Sequence, residues 1–347
     1  MNRREFLRLS FLAGVPPLFK DYEFLKDSRD YSSIRPVRSQ KHARVVACRD
    51  NRCVSRNFQI DAGRAAALFR KALLAYTGRP SVRAAVRGLF PKFRDSVRVS
   101  IKVNTASWDL PSHRVVAEAI ASCLVEAGVK PEGISIWERA EKTLQGGGYR
   151  LSRSAGAVRV IATDTPGYGY DESATATVNG IRLPLTSILT RHSDYLINLS
   201  VMKHHFISGV TGALKNMYGC VPLLDRPFLI GPYGLLKFHL NNCDPCVGEL
   251  NDAILRRVPT ILYVCDALLG LYEGGPWGPP QWVQNELVLS DDPVALDMIS
   301  LYRVEKRRRD AGLSPVMGNA GHLRTAALMG LGTNNVDNID FSLKLVE

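Results

Sequence analysis

Residues 97–137 read VRVSIKVNTASWDLPSHRVVAEAIASCLVEAGVKPEGISIW. Val97 to Val103 alternates apolar and polar side chains as a strand does, and it ends in Lys102 and Asn104. Pro111 and Ser112 then open a helix over His113 to Ala127, with Val116, Ala119, Ile120, Cys123 and Leu124 on one face. Gly128 stops that helix, and Gly133 to Trp137 forms the next strand, ending at Glu138 and Arg139. A strand, an amphipathic helix and a second strand in this order predict a parallel crossover unit.

The same rhythm extends in both directions. Ala43 to Cys48 reads as a first strand, and Asp61 to Tyr76 as a helix capped by Asp61. Val158 to Thr163 is another strand, ending at Asp164. Tyr195 to Leu199 is a buried one that stops at Lys203, His204 and His205. A helix ends near Arg257, and Thr260 to Cys265 is an apolar strand ending at Asp266. Glu286 to Leu289 is a short strand, Ser290-Asp291-Asp292-Pro293 opens a helix through Leu301, and Asn334 to Glu347 adds an edge strand. The prediction is an α/β fold with a largely parallel sheet flanked by helices, with two lobes and a cleft between them as one form of it.

The chain has 347 residues, 46% apolar and 22% charged, with a formal net charge of +12. This balance favours anionic partners. The basic residues are scattered, without a nucleic-acid motif or a basic stripe interleaved with aromatics, so a small anionic ligand is expected rather than DNA or RNA. Seven cysteines are an odd number for a disulfide framework, and Cys123 and Cys265 sit in apolar core patterns. Cys243 and Cys246 form a lone CxxC without the dense run that a cluster needs, so no iron–sulfur cluster is expected.

The N-terminus, NRREFLRLSFLAGVPPLF, carries Arg3-Arg4, then Phe6-Leu7-Arg8 and an apolar stretch from Leu9 to Phe19. This resembles a twin-arginine export signal, which makes the export machinery a partner and places the protein in the periplasm or cell envelope. The alternative is a basic amphipathic start on a cytoplasmic protein. The expected organisation is a signal or anchor over 1–28, a linker over 29–42 and an α/β domain over 43–347.

Candidate chemistry gathers at strand ends and in NLSVMKHHFISGVTGALKNMYGCVP, residues 198–222. Lys102, Lys203, His205 and Lys215 are the catalytic candidates. The lysines supply positive charge and the imidazole supplies proton transfer or a metal ligand. Adjacent residues of an extended segment point apart, so at most one of His204 and His205 is expected to face the cleft. Asn104, Thr211, Gly212 and Asn216 are candidate cofactor-binding residues. The Gly209 to Gly212 turn and its N–H groups, with Lys215, are read as a place for a phosphate or carboxylate. His205, His239, Cys243 and Asp244 are candidate ligands of a transition metal of open identity. Asp291 and Asp292 are read as helix caps. Gly274 to Pro280 (GGPWGPP) is read as a plain surface loop or a lid carrying Trp277.

KHHFISGVTGALKNMYG, beginning at Lys203, strongly resembles the signature of the domain of unknown function 362 family. Lys203, His205, Thr211, Lys215 and Asn216 match it, and His204 fills a variable position. Ile101-Lys102-Val103-Asn104 and Asp292-Pro293-Val294-Ala295-Leu296-Asp297 resemble two flanking family segments, and the likeness runs from Val45 to Gly332. The resemblance implies an α/β domain. Many members carry ferredoxin-type cysteine runs, and this chain does not. The expected function is an exported enzyme that binds a small anionic substrate or a metal or cofactor in a Lys/His/Asn-lined cleft. The alternative is a non-catalytic, redox-associated binding protein of the cell envelope.

Overall fold

The computed structural model describes residues 29–38, 41–222 and 238–346, so the twin-arginine-like stretch lies outside the described residues. The strands in chain order are β1 (Ala43–Arg49), β2 (Val99–Lys102), β3 (Ile134–Glu138), β4 (Arg159–Ala162), β5 (Tyr170–Val178), β6 (Ile181–Thr186), β7 (Tyr195–His205), β8 (Gly209–Val210), β9 (Thr260–Leu271), β10 (Trp282–Ser290) and β11 (Ile339–Leu345). The helices are α1 (Ala62–Thr77), α2 (Val82–Leu89), α3 (Arg114–Ala127), α4 (Glu141–Gly146), α5 (Ser187–His192), α6 (Gly212–Asn216), α7 (Cys246–Leu255), α8 (Pro293–Asp310) and α9 (Gly321–Leu328).

One sheet runs in the order β11-β1-β10-β9-β7-β2-β3-β4, with β8 paired to β7, and β5 and β6 form a separate hairpin. β10 is antiparallel to both of its neighbours, β1 and β9. Every other neighbour pair on that path is parallel. The protein is therefore an α/β fold with a largely parallel sheet. Alternate side chains feed apolar layers on the two faces: in β1, Val45 and Ala47 enter one layer, and Val46 and Cys48 the other. Leu68 of α1 and Ile120 of α3 share the second layer, whereas Leu214 of α6, Leu250 of α7 and Leu323 of α9 share the first.

This layering positions the site. β2 leads through α3 to β3 and on toward one sheet edge; β7 leads through α7 to β9 and toward the other. The two crossovers cover opposite faces, so neighbouring β2 and β7 are the point where strand order reverses. Parallel sheets open a crevice at the carboxyl ends of such a pair. The last β2–β7 pair is Lys102 with Asn198, and β7 continues past the end of β2 to His205, paired there with β9 and β8.

Several expectations change. β7 does not stop before Lys203, because Lys203 pairs with Leu271 of β9 and His204 with Val210 of β8. β9 likewise runs past Asp266 to Leu271, which puts that aspartate in mid-strand. The expected linker is docked rather than free: Ile34 is buried, Ser33 Oγ donates to Met317 O at 3.2 Å, and Val37 N donates to Asn334 Oδ1 at 2.9 Å. The expected caps form, with Asp61 accepting from Arg64 N and Asp292 from Ala295 N, each at 2.9 Å.

Candidate active site at the strand switch point

Lys102 closes β2 and is buried. Its Nζ donates to Val103 O at 2.6 Å, to Asn216 Oδ1 at 3.4 Å and, in a close ion pair, to Glu138 Oε1 at the end of β3. Three acceptors, one of them a carboxylate, match the three donors of an ammonium. The Trp137 ring lies 5.4 Å from that Nζ. Gly219 packs against the pair, and a Cβ there would come within 2.6 Å of Glu138 Oε1 and 2.8 Å of Lys102 Nζ.

An ammonium can only donate, and at Lys102 this fixes the direction of every amide beyond it. Asn216 turns its oxygen to Lys102 and also accepts from Asn104 Nδ2 at 3.1 Å. Its Nδ2 donates to Asn198 Oδ1 at 2.8 Å, and Asn198 Nδ2 donates to Ala213 O at 2.9 Å. The oxygen of Asn104 is thereby left to accept from Lys203 Nζ at 3.2 Å. Lys203 has a second acceptor, Leu110 O, also at 3.2 Å, and no carboxylate within ion-pair distance among the described residues. Burial pushes its amine down to about 7, against the pull of Glu138 and Asp109.

Lys215, near the end of α6, is the second buried lysine without a carboxylate partner among the described residues. Its Nζ lies 2.8 Å from His239 Nε2 and 4.1 Å from the centroid of the Tyr218 ring, with the Cys243 thiol beside it. Burial lowers its pKa, and Cys243 opposes that shift. The His205 and His239 rings stack with centroids 5.9 Å apart. His205 Nδ1 accepts from Ile207 N at 3.2 Å and Ser208 N at 3.4 Å, so the neutral ring carries its proton on Nε2. Burial first, then the Lys215 and His239 charges, hold its pKa far below the ordinary histidine value. His205 is thus a neutral N–H donor rather than a proton acceptor near neutral pH.

The Gly/Thr turn is occupied from within. Asp297 of α8, fully buried, accepts from Ala213 N at 2.6 Å and Leu214 N at 2.9 Å. A Cβ on Gly212, whose φ is +58°, would stand 2.4 Å from that carboxylate. The two sequence segments 203–219 and 292–297 are therefore joined by this cap, and these two N–H groups are not free for a bound anion. Thr211 donates its N–H to Lys203 O at 2.9 Å, while its Oγ1 is buried without a partner among the described residues. Burial raises Asp297 to about 7, opposed by its two N–H donors.

Lys102, Asn104, Lys203 and Asn216 share one hydrogen-bonded network, and His205, Lys215 and His239 form a second group beside it. His205 feels the charges of both Lys203 and Lys215, which ties the two groups together. The four candidate metal ligands do not assemble: among the described residues no group of three or more His, Cys, Asp or Glu side chains is arranged to hold a metal ion. His205 has Nδ1 occupied and Nε2 protonated. Cys243 is held protonated by burial, in a turn where Asn241, Asn242 and Cys243 all have positive φ. All seven cysteines are reduced and buried, Cys123 and Cys265 among them as expected.

Other strand-end acids lie elsewhere. Asp164 is exposed and caps Glu141 N at 2.9 Å, and Asp266 binds His113 through Nδ1 at 2.8 Å. His204 points away from His205: its Nδ1 accepts from Gly275 N at 3.1 Å, and Phe206 N donates to Gly275 O at 3.1 Å. The Gly/Pro loop is thus docked on the end of β7 at Gly275, where a Cβ would fall 1.9 Å from His204 O, and Trp277 is exposed. Sequence reasoning missed the parts played by Glu138, Asp297 and Tyr218. The first was visible as a strand-end acid, the second as the last residue of its segment, and Tyr218 carried no signal.

A buried lysine and asparagine network lies at the switch point of a largely parallel sheet in an α/β protein, and these strand ends are the candidate site. The family model described as Domain of unknown function (DUF362) matches residues 99–302. That is more than half of the 347 residues, and the chain belongs to this family. The match is narrower than the span from Val45 to Gly332 and leaves out β1, α1, α2, α9 and β11. A crystal structure of a Thermotoga maritima protein is similar at 12% identity and a TM-score of 0.40, covering 73% of this chain. This chain spans about 60% of that protein's length. No curated protein matches the chain.

Proposed function

We propose that the protein is an enzyme acting on a small anionic substrate in the crevice between the ends of β2 and β7. The observation that carries this reading is the pair Lys203 and Lys215, both buried and both without a carboxylate partner among the described residues. A buried amine without a counter-ion is costly to hold charged, and an anionic ligand at Lys215 removes that cost. Lys215 and the Nε2–H of His205 hold the anion, and Asn104 and Asn216 orient it. Lys203 moves the proton, since a buried amine brought near neutrality suits acid–base work. Thr105 Oγ1, Trp137 Nε1 and Thr211 Oγ1, each attached to this network, are buried without partners among the described residues, and polar atoms so placed call for a ligand.

Export by the twin-arginine route to the periplasm or cell envelope belongs to the same proposal and rests on Arg3, Arg4, Phe6 and Leu7. Thermal unfolding in phosphate, malonate and pyruvate tests the site. At least one anion raises the parent's Tm in a concentration-dependent way, and Lys215→Met loses that rise. Equal responses of parent and variant to all three contradict the reading. An Arg3→Lys/Arg4→Lys variant that is exported as well as the parent removes the export part.

A further inference from the structure

We propose that Lys203 is a nucleophilic amine that forms a Schiff base with a small carbonyl compound bearing an anionic group beside the carbonyl, such as a 2-oxo acid. This rests on the reading of the crevice as an anion-binding enzyme site. The geometry is a matter of counting valences. Among the described residues Lys203 Nζ has two neutral acceptors, Asn104 Oδ1 and Leu110 O, each at 3.2 Å. A neutral amine has two N–H donors and one lone pair, so two acceptors satisfy it and leave the pair unshared. Both acceptors are fixed, Leu110 O by the backbone and Asn104 by its bond to Asn216, so the lone pair has a set direction. His205 lies two residues along the same strand and hence on the same side, about 7 Å away along the backbone. Its Nε2–H, with Lys215, is placed to take the anionic group while the carbonyl carbon meets Nζ.

The step balances without an oxidant. The amine pair forms the C–N bond, the carbonyl π pair moves to oxygen, and a proton passes from nitrogen to that oxygen to give a carbinolamine. The hydroxyl then takes one proton from solvent and leaves as water, and the nitrogen pair closes the iminium bond. The iminium retains one N–H for one of the two acceptors.

The test is reductive trapping. The full chain is incubated with pyruvate or glyoxylate and cyanoborohydride at neutral pH, digested, and mapped by mass spectrometry. The expected result is a single reduced adduct on the peptide bearing Lys203, with exposed Lys130 and Lys306 unmodified at the same dose. The adduct is lost in Lys203→Arg. Adducts on the exposed lysines with Lys203 bare overturn the proposal in the parent alone, whatever the folding of the variant. If anion-dependent stabilisation persists in that case, the anion site stands and the Schiff base falls. If both are absent, both readings fall.

Discussion

Lys102 and Lys203 lie on neighbouring parallel strands, each with 1% exposure, yet their surroundings ask for different charge states. Lys102 has three acceptors and the Glu138 carboxylate, so its charge is compensated within the fold. Lys203 has two neutral oxygens, the number that an uncharged amine can satisfy. One amide, Asn216, reads the first lysine and passes its orientation through Asn104 to the second. The paired lysine thus organises the network, and the unpaired one is the proposed reactive amine. A chain with only the first kind would hold a structural ion pair; the second kind carries the proposed site.

The largest expected effect breaks the compensated side. Glu138→Gln strands the buried Lys102 charge and costs about 3–5 kcal/mol in a denaturant titration. Lys203→Met removes a neutral group and leaves two oxygens without donors, which costs about 1–3 kcal/mol. A larger loss for Lys203→Met than for Glu138→Gln reverses the comparison.

A smaller effect sharpens the contrast through pH. The folded Lys203 amine sits near 7, whereas in the unfolded chain it keeps its ordinary value of 10.5. Between those values the unfolded state binds the proton and the folded state does not, so the parent gains stability as pH rises from 7 toward 10.5. Measured against Lys203→Met, the gain is at most about 1.4 kcal/mol per pH unit. A parent-to-variant difference that stays flat over that window shows that Lys203 remains charged in the fold.

Much of this architecture is legible in the sequence because its signals are local. Asp61, Gly128 and Asp292 mark helix ends by cap chemistry, and the apolar runs of β1, β3 and β7 mark the parallel sheet. Strand lengths are less legible, since β7 and β9 run on through charged residues that are paired only in the fold. The β5–β6 hairpin was missed although Asn179-Gly180, with φ of +48° and +73°, is a strong turn signal between alternating segments. Within the site, the lysines, His205 and the asparagines were legible as a density of polar residues at strand ends. The use of the turn by Asp297 was not, because the contact joins residues 84 positions apart. The tautomer of His205 was not either, since two backbone N–H groups of the following turn set it.

The most direct measurement is the titration of the Lys203 side chain itself, followed by NMR in protein labelled at lysine and assigned by comparison with Lys203→Met. The expected midpoint for this amine is near 7. A Lys203 that titrates at the ordinary lysine value contradicts it and makes the network a second structural cation site.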